Sequence, residues 1–279
     1  MISGSIVLYH NSSNQVKKAI RSFFTSKLCT KLYLIDNSLD DRLHTLKEID
    51  PRIEYIHSQS NLGYGSAHNI ALKYAIKHHS KYHIILNPDI YFSLGVIDSL
   101  YAHMEKNPDI AHIMPKVLYP DGTIQYLTKL LPSPAILLAR RLLPFKKLQK
   151  YINNKYELRF TGYDKIIQAP YLSGCFMFLR TKALKEIGLF DERFFMYPED
   201  IDLTRRIHEK FKTIYFPEVS IFHEHQKESF KNFKMTKIHI LNMIKYFNKW
   251  GWIFDKTRKN INKKILYDLG YKQGTGMHK

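Results

Sequence analysis

The 279-residue chain has only two cysteines, Cys29 and Cys175, and no CxxC pair. This scarcity excludes a disulfide framework and a thiolate zinc site, and it suits a reducing compartment. Long hydrophobic runs are also absent, since no stretch reaches the roughly 18 apolar residues of a bilayer-spanning helix. Residues 1–15 lack a basic region followed by a long apolar one, so we do not expect a secretory signal.

Glycine is missing where dinucleotide-binding loops need it. The first apolar run is followed by a segment without glycine, residues 10–15, which disfavours a nicotinamide dinucleotide site. No GxxxxGK[ST] motif occurs, which excludes a P-loop. The short Gly63-Tyr64-Gly65 motif could let the backbone approach a ligand, although such a motif more often forms the turn at the start of a helix.

Acidic residues are few: 25 against 43 lysines and arginines, for a net charge of +18. This charge indicates a polyanion, an anionic membrane or a phosphorylated substrate as partner. Residues 227–279 alone contain thirteen basic and three acidic residues, a net charge of +10. The segment also has apolar residues at helical spacing. We therefore expect a basic amphipathic helical tail that binds an anionic membrane or, equally, a solvated helix that packs on the domain.

The first third of the chain predicts alternating strands and helices, and therefore a mostly parallel sheet flanked by helices. Ligands of such sheets bind at the carboxyl ends of the strands, where Asp36 and Asp89 are expected. The predicted strands are 5–9, 31–36, 53–56 and 83–86, and the predicted helices are 16–24 and 66–79.

Further along, residues 127–145 mix leucines with three prolines and two arginines. This composition suits an interfacial segment or a flap over the substrate, or equally a helix packed on the core with its arginines reaching water. The pattern then predicts a buried strand at 171–179, a helix at 201–211 and a strand at 213–222.

Two groups of acidic residues are candidates for chemistry. Asn87-Pro88-Asp89 ends a strand, where a carboxylate can hold Mg²⁺ against a diphosphate, or where the motif simply forms a turn. Glu199-Asp200 begins a helix after an aromatic run, and a carboxylate beside apolar rings can act as a general base. Helix capping is the alternative and would explain one of these acids. His223 and His225 at the last strand could bind a metal or phosphate, or could be ordinary surface residues.

In this order the motifs resemble those of the inverting glycosyltransferases of family 2, which have a GT-A fold, and in particular the bacterial rhamnosyltransferase-like branch. The resemblance covers about residues 3–230. It is carried by SIVLYHN, LIDNS, NLGYGSAHN, LNPDI and, most specifically, SGCFMFLRTKALKEIGLFDERFFMYPEDIDLTRRI. It implies a GT-A domain at 1–226, with a nucleotide-binding half (1–116) and an acceptor half (117–226), followed by the tail at 227–279.

The resemblance also implies roles. Asp200 would be the general base, and Glu199 would orient the acceptor or support Asp200. Asp89 and His223 would bind a divalent cation, Mg²⁺ or Mn²⁺, although the usual DxD is here Asn-Pro-Asp and His225 could replace His223. Six residues would bind the nucleotide-sugar, namely Tyr9, His10, Asp36, Gly63, Asn87 and, again, Asp89. Among them, Asp36 would bind the pyrimidine base.

These roles predict an enzyme that moves a sugar, best guessed as L-rhamnose from dTDP-rhamnose, onto a lipid-linked or polysaccharide acceptor. We expect it in the cytoplasm, peripherally on the inner face of the cell membrane. Three alternatives are a transferase that uses a UDP-linked hexose or N-acetylhexosamine, an idle scaffold of the same fold, and a basic nucleic-acid-binding protein. The last is disfavoured because the chain has no recognisable nucleic-acid module and its carboxylates would repel phosphates.

Overall fold

The computed structural model of the protein describes residues 1–142, 144–224 and 233–271, and a mixed α/β sheet forms the centre of this part. The strands, in chain order, are β1 (Ile2–Leu8), β2 (Cys29–Asp36), β3 (Ile53–His57), β4 (Tyr82–Leu86), β5 (Ile90–Tyr91), β6 (Ile110–Leu118), β7 (Thr128–Lys129), β8 (Ile167–Gln168), β9 (Tyr171–Leu172), β10 (Phe176–Arg180) and β11 (Lys212–His223).

The helices flank this sheet and follow most strands, as the alternating pattern predicts. They are α1 (Ser13–Phe23), α2 (Tyr64–Lys77), α3 (Val96–Lys106), α4 (Pro134–Leu142), α5 (Lys146–Tyr156), α6 (Thr181–Ile187), α7 (Glu199–His208), α8 (Phe233–Trp250) and α9 (Lys256–Asp268). No helix among the described residues is both long enough and apolar enough to cross a membrane.

The central sheet has the order β3-β2-β1-β4-β10-β6-β11-β5, and β8 pairs with β11. Strands β1 to β4 pair in parallel, and β6 pairs in parallel with β11. Strand β10 runs antiparallel between β4 and β6, and the short strands β5 and β8 pair antiparallel with β11. The strands β1 to β4, β6 and β11 therefore share one direction. Their carboxyl ends therefore lie along one edge, which confirms the predicted mostly parallel α/β fold.

The core explains why these segments form strands and helices. Every residue of β4 is buried, which is typical of a central strand covered on both faces. Helix α7 packs Leu203 and Ile207 against the strands, with Met177 and Leu179 of β10 in the same cluster. The sheet is thus held rigidly beneath the loops at its carboxyl edge, which is the condition for a precise site there.

The predicted strand 171–179 is two strands in the structure, β9 and β10, separated at 173–175. The interruption has a physical reason, because the backbone of this segment serves the loops beside it. The N–H of Gly174 donates to Asp200 Oδ2 at 2.9 Å, and the carbonyl of Cys175 accepts from the N–H of Asn87 at 2.9 Å. Periodicity does not reveal such a break, since most of the segment is apolar on both sides of Ser173 and Gly174.

The segment 127–145 contains β7 and α4, and it packs partly on the C-terminal helices. Leu131 is buried in one cluster with Met243, Tyr246 and Phe247 of α8. Its backbone N–H and carbonyl both bond to the side-chain amide of Asn262 on α9, at 2.9 Å each. Leu138 of α4 remains exposed. The packing agrees with the packed-helix alternative for the start of this segment, and helices α8 and α9 contribute to the same core.

Candidate active site

A cleft of about 880 Å³ opens at the carboxyl edge of the sheet. Two pairs of candidate residues line it: Asp89 with His223, and Glu199 with Asp200. Asp89 follows β4 and His223 ends β11, whereas Glu199 and Asp200 begin α7. Residues that are more than a hundred positions apart in the sequence therefore meet at one cavity.

Asp89 and His223 face each other closely. Oδ1 of Asp89 lies 3.3 Å from Nε2 of His223, and the imidazole is almost fully buried. Within the described part of the chain, this Asp89 oxygen is buried and accepts no hydrogen bond. The backbone holds the pair together, because the N–H of Glu224 donates to the carbonyl of Asp89 at 3.0 Å.

Gln125 fixes the tautomer of His223. The Gln125 Nε2 donates to the carbonyl oxygen of His223 at 2.8 Å, so its Oε1 faces the imidazole Nδ1 at 2.9 Å. Since Oε1 can only accept, Nδ1 of a neutral His223 carries the proton and Nε2 presents a lone pair. In this tautomer Nε2 faces Asp89 Oδ1 across 3.3 Å.

This donor set fits a divalent cation bound mainly by the substrate. Mg²⁺ and similar ions are commonly held by one or two protein groups together with phosphate oxygens. A metal-ligating histidine usually donates its other N–H to an oxygen, as His223 does to Gln125. Among the described residues no group of three His, Cys, Asp or Glu side chains could hold a metal by itself. His225, the predicted alternative to His223, lies outside the described residues.

The two carboxyl groups at the start of α7 have different surroundings. Asp200 accepts hydrogen bonds from the N–H of Gly174 at 2.9 Å, from its neighbour Ile201 at 2.8 Å and from the Tyr171 hydroxyl at 3.3 Å. Burial raises the pKa of Asp200, and these N–H groups together with the Lys129 ammonium oppose the rise. Asp200 is thus supported as an anion.

Glu199 has less support of this kind, from the backbone N–H groups of Glu199 itself and Tyr197. Its side chain is buried, and within the described chain its Oε2 has no hydrogen-bond partner. Burial, and then the charge of Asp200, raise the pKa of Glu199 well above its usual value. Neighbouring carboxyl groups whose environments push their pKa values apart are a common arrangement for acid and base roles. The geometry favours Asp200 as the ionised partner and Glu199 as the neutral one.

The glycines of the NLGYG motif bring two loops into contact. A Cβ on Gly63, whose φ is +84°, would lie 2.2 Å from the carbonyl oxygen of Phe195. The N–H of Tyr64 donates to that same oxygen at 2.9 Å, and α2 begins at Tyr64. The motif therefore does form the turn at the start of a helix, and it also fixes the segment that leads into Glu199.

Most of the predicted nucleotide-binding residues line the same cleft. The cleft lining includes Tyr9, His10, Gly63 and Asn87. The Tyr9 side chain is half exposed, and its ring meets the His10 ring edge-on at a centroid distance of 4.5 Å. Exposed aromatic rings at the mouth of a cleft can stack against a nucleobase.

Asp36, in contrast, does not line the cleft. Its side chain is fully buried, and its Oδ1 and Oδ2 accept hydrogen bonds from the Ser38 N–H at 2.9 Å and the Tyr55 hydroxyl at 2.6 Å. The adjacent Asn37 does line the cleft. Contact of Asp36 with a base stays a prediction, and its visible function is to hold the 36–38 turn.

Sequence reasoning missed several residues of the cleft, chiefly Gln125, Lys129 and Arg159. Burial lowers the pKa of Lys129, whose ammonium lies 5.3 Å from the centre of the Tyr171 ring. Arg159 pairs with the buried Glu157, which also pairs with Arg140. None of these residues stands in a recognisable motif, so no signal in a single sequence marks them.

Comparison with known proteins agrees with this geometry. The sequence profile described as "Glycosyl transferase family 2" matches residues 5–188, more than half of the chain. An N-acetylglucosaminyl-diphospho-decaprenol L-rhamnosyltransferase from Mycobacterium tuberculosis is 25% identical over 212 residues, which cover 72% of this chain and 68% of that protein. The low-salt glycan biosynthesis hexosyltransferase Agl10 from Haloferax volcanii is 25% identical over 215 residues, or 72% of this chain and 60% of that protein.

Solved structures show the same fold at lower identity. Residues 1–349 of S. aureus TarS superpose with a TM-score of 0.57 at 15% identity, covering 99% of this chain and 73% of that one. GalNAc-T7, crystallised with UDP, GalNAc and Mn²⁺, superposes with a TM-score of 0.59 at 15% identity. This chain is covered to 80% and spans 43% of the GalNAc-T7 chain, so that likeness concerns the shared fold alone.

Proposed function

Because the chain belongs to glycosyltransferase family 2, we propose that its cleft transfers a sugar from a nucleoside diphosphate to an acceptor hydroxyl, with inversion at the anomeric carbon. The observation that carries this proposal is the meeting of the Asp89–His223 pair and the Glu199–Asp200 pair in one cavity. The first pair is suited to the leaving diphosphate and the second to the attacking alcohol.

Asp200 is the general base in this proposal. It takes the proton of the acceptor hydroxyl as the acceptor oxygen attacks the anomeric carbon, and the bond from that carbon to the diphosphate oxygen breaks on the opposite face. General-base assistance of this kind typically contributes about 10²–10⁴ in rate. The N–H groups of Gly174 and Ile201 fix the Asp200 carboxylate in place. Glu199, kept neutral by burial, positions the acceptor.

The donor lies along the side of the cleft that Tyr9, His10, Gly63 and Asn87 line. Asp89 and His223 would hold a divalent cation against the diphosphate. When bound, such an ion supplies positive charge that stabilises the leaving group. GalNAc-T7, a protein of the same fold, was crystallised with Mn²⁺, which supports a divalent cation as part of this proposal.

For the sugar we propose L-rhamnose carried by dTDP, on a lipid-linked or polysaccharide acceptor in cell-surface glycan synthesis. The resemblance in sequence to a rhamnosyltransferase that acts on a diphospho-decaprenol lipid supports this choice. A UDP-linked hexose or N-acetylhexosamine is the second candidate, because the hexosyltransferase Agl10 has the same 25% sequence identity to this chain. We place the enzyme in the cytoplasm, peripherally on the inner face of the membrane.

A panel of nucleotide-sugars tests the donor. The purified protein is heated with each candidate, with and without Mn²⁺, and donors that raise the midpoint of unfolding are then assayed for hydrolysis and for transfer to a lipid-linked acceptor. We expect dTDP-rhamnose to stabilise the protein most, and only with the cation. Stabilisation by a UDP-sugar alone would favour the second candidate. No stabilisation and no turnover with any donor would contradict the proposed function.

A further inference from the structure

The turn between α8 and α9 exposes three consecutive large apolar side chains. Trp252 is 44% exposed, Ile253 68% and Phe254 88%. Single exposed hydrophobic residues are common on protein surfaces, whereas contiguous apolar patches usually mark an interaction site. We call residues 252–254 the apolar tip.

The apolar tip is held firmly from beneath. Asp255, directly after it, is buried and accepts from Arg205 Nη1 at 2.7 Å and Nη2 at 2.9 Å. Asp255 also accepts from the backbone N–H of Arg258 and so caps α9. The Arg258 guanidinium in turn donates to the carbonyl of Trp252 at 3.2 Å. The exposure of the tip is therefore a feature of a fixed turn and does not result from a frayed helix end.

The charged side chains that α9 exposes beside the apolar tip are mainly lysines. Between Glu228 and Asp255 the sequence contains no acidic residue. Past the tip, α9 exposes Lys256, Lys259 and Lys263 to solvent. Apolar side chains beside lysines are complementary to an anionic lipid surface, where the rings enter the interface and the ammonium groups meet the head groups.

We propose that the apolar tip inserts into an anionic phospholipid bilayer and docks the enzyme there. Insertion is thereby assigned to three named side chains and not to the basic tail in general. The link to catalysis rests on the proposed function. Arg205, which anchors the turn, lies on α7 five residues after Asp200, or about 7.5 Å along the helix axis. The Arg205–Asp255 ion pair thus ties the docked turn to the helix that carries the proposed base Asp200, as suits a lipid-linked acceptor.

Vesicle flotation of the full chain tests the insertion. The probes are vesicles of phosphatidylethanolamine with phosphatidylglycerol and, in a second arm, phosphatidylcholine alone. Replacing Trp252, Ile253 and Phe254 together by serine should weaken binding to the anionic vesicles by roughly tenfold or more, since three apolar side chains leave the interface. Leu94→Ser, at an exposed apolar residue outside the tip, is the control and should bind as the wild type does. Equal flotation of the triple variant would overturn the proposal.

Tryptophan fluorescence supplies a second readout that does not depend on activity. The chain has two tryptophans, and Trp250 is engaged through its N–H with Asp202. Adding anionic vesicles should shift the emission of the wild type to shorter wavelength, and brominated lipids should quench it. Trp252→Phe should abolish both effects while the protein still floats. Emission that shifts equally in this variant would place the inserted residue elsewhere and overturn the proposal.

The failures of the two proposals are distinguishable. Flotation that depends on the tip, without turnover on any donor, would leave docking standing and contradict the proposed function. Turnover on a lipid-linked acceptor with flotation independent of the tip would do the reverse. If the triple serine variant instead converts a dimer to a monomer in light scattering, with flotation unchanged, the tip is a contact between copies and the membrane proposal is wrong.

Discussion

Removing the amide of Gln125 tests whether His223 is prepared to bind a cation. Gln125→Leu keeps the approximate volume of the side chain but deletes the acceptor for His223 Nδ1 and the donor to the His223 carbonyl. Loss of a partner behind a metal ligand typically costs 10–100-fold in metal affinity. We therefore expect Mn²⁺ binding weaker by that factor, about 1.4–2.7 kcal/mol. Calorimetric titration of Mn²⁺ in the presence of the nucleoside diphosphate measures it.

A double-mutant cycle separates this effect from general damage. His223→Ala should weaken Mn²⁺ binding further, and adding Gln125→Leu to it should change little, because the glutamine acts through the histidine. Gln168→Leu, at another glutamine that does not line the cleft, is the control and should leave Mn²⁺ affinity unchanged. The reasoning is refuted if Gln125→Leu leaves the Mn²⁺ affinity intact. It is also refuted if the losses of Mn²⁺ affinity from the two substitutions simply add in the double variant.

Three further substitutions follow from the same geometry. Asp200→Asn should lower kcat by about 10²–10⁴-fold with nucleotide affinity nearly intact in calorimetry; full activity would exclude Asp200 as the base. Asp89→Ala should remove the effect of Mn²⁺ on nucleotide affinity, and an unchanged metal dependence would count against the cation site. Glu199→Gln should stabilise the protein near pH 8 in urea unfolding, because burial raises the pKa of Glu199 above its ordinary 4.5 and ionisation therefore costs folding energy. That gain is about 1.4 kcal/mol for each pH unit between the folded and unfolded pKa values, and it should vanish as the pH falls toward 4.5; a gain that persists there would contradict the assignment.

Much of the fold follows from local pattern. Apolar runs such as β4 are buried on both faces, and Gly63-Tyr64-Gly65 marks the start of α2 because only glycine permits the close approach to Phe195. The parallel direction of the strands then places Asp89 at the carboxyl edge without further information. The order of the motifs carries the family resemblance, and the profile that matches residues 5–188 confirms that the chain belongs to the family.

The interior of the site could not be predicted in the same way. The break at Gly174 and the support of His223 by Gln125 depend on contacts between segments far apart in the chain, and no local propensity encodes them. Asp36 illustrates the converse case. A carboxylate at a strand end is equally compatible with holding a ligand and with holding its own turn, and only the positions of Ser38 and Tyr55 show that both of its oxygens are occupied.

The charge distribution ties the site to the surface. Helix α7 begins with Glu199 and Asp200, whose pKa values burial shifts. The same helix continues with Arg205, whose guanidinium stacks on the Trp250 ring at 3.8 Å and pairs with Asp255. A buried ion pair is costly to break, by about 3–5 kcal/mol when one partner is removed, so the turn that follows α8 cannot shift without disturbing the helix that presents Asp200. If Asp200 is the base and the acceptor is held in a bilayer, as we propose, this link would fix the height of Asp200 above the lipid surface.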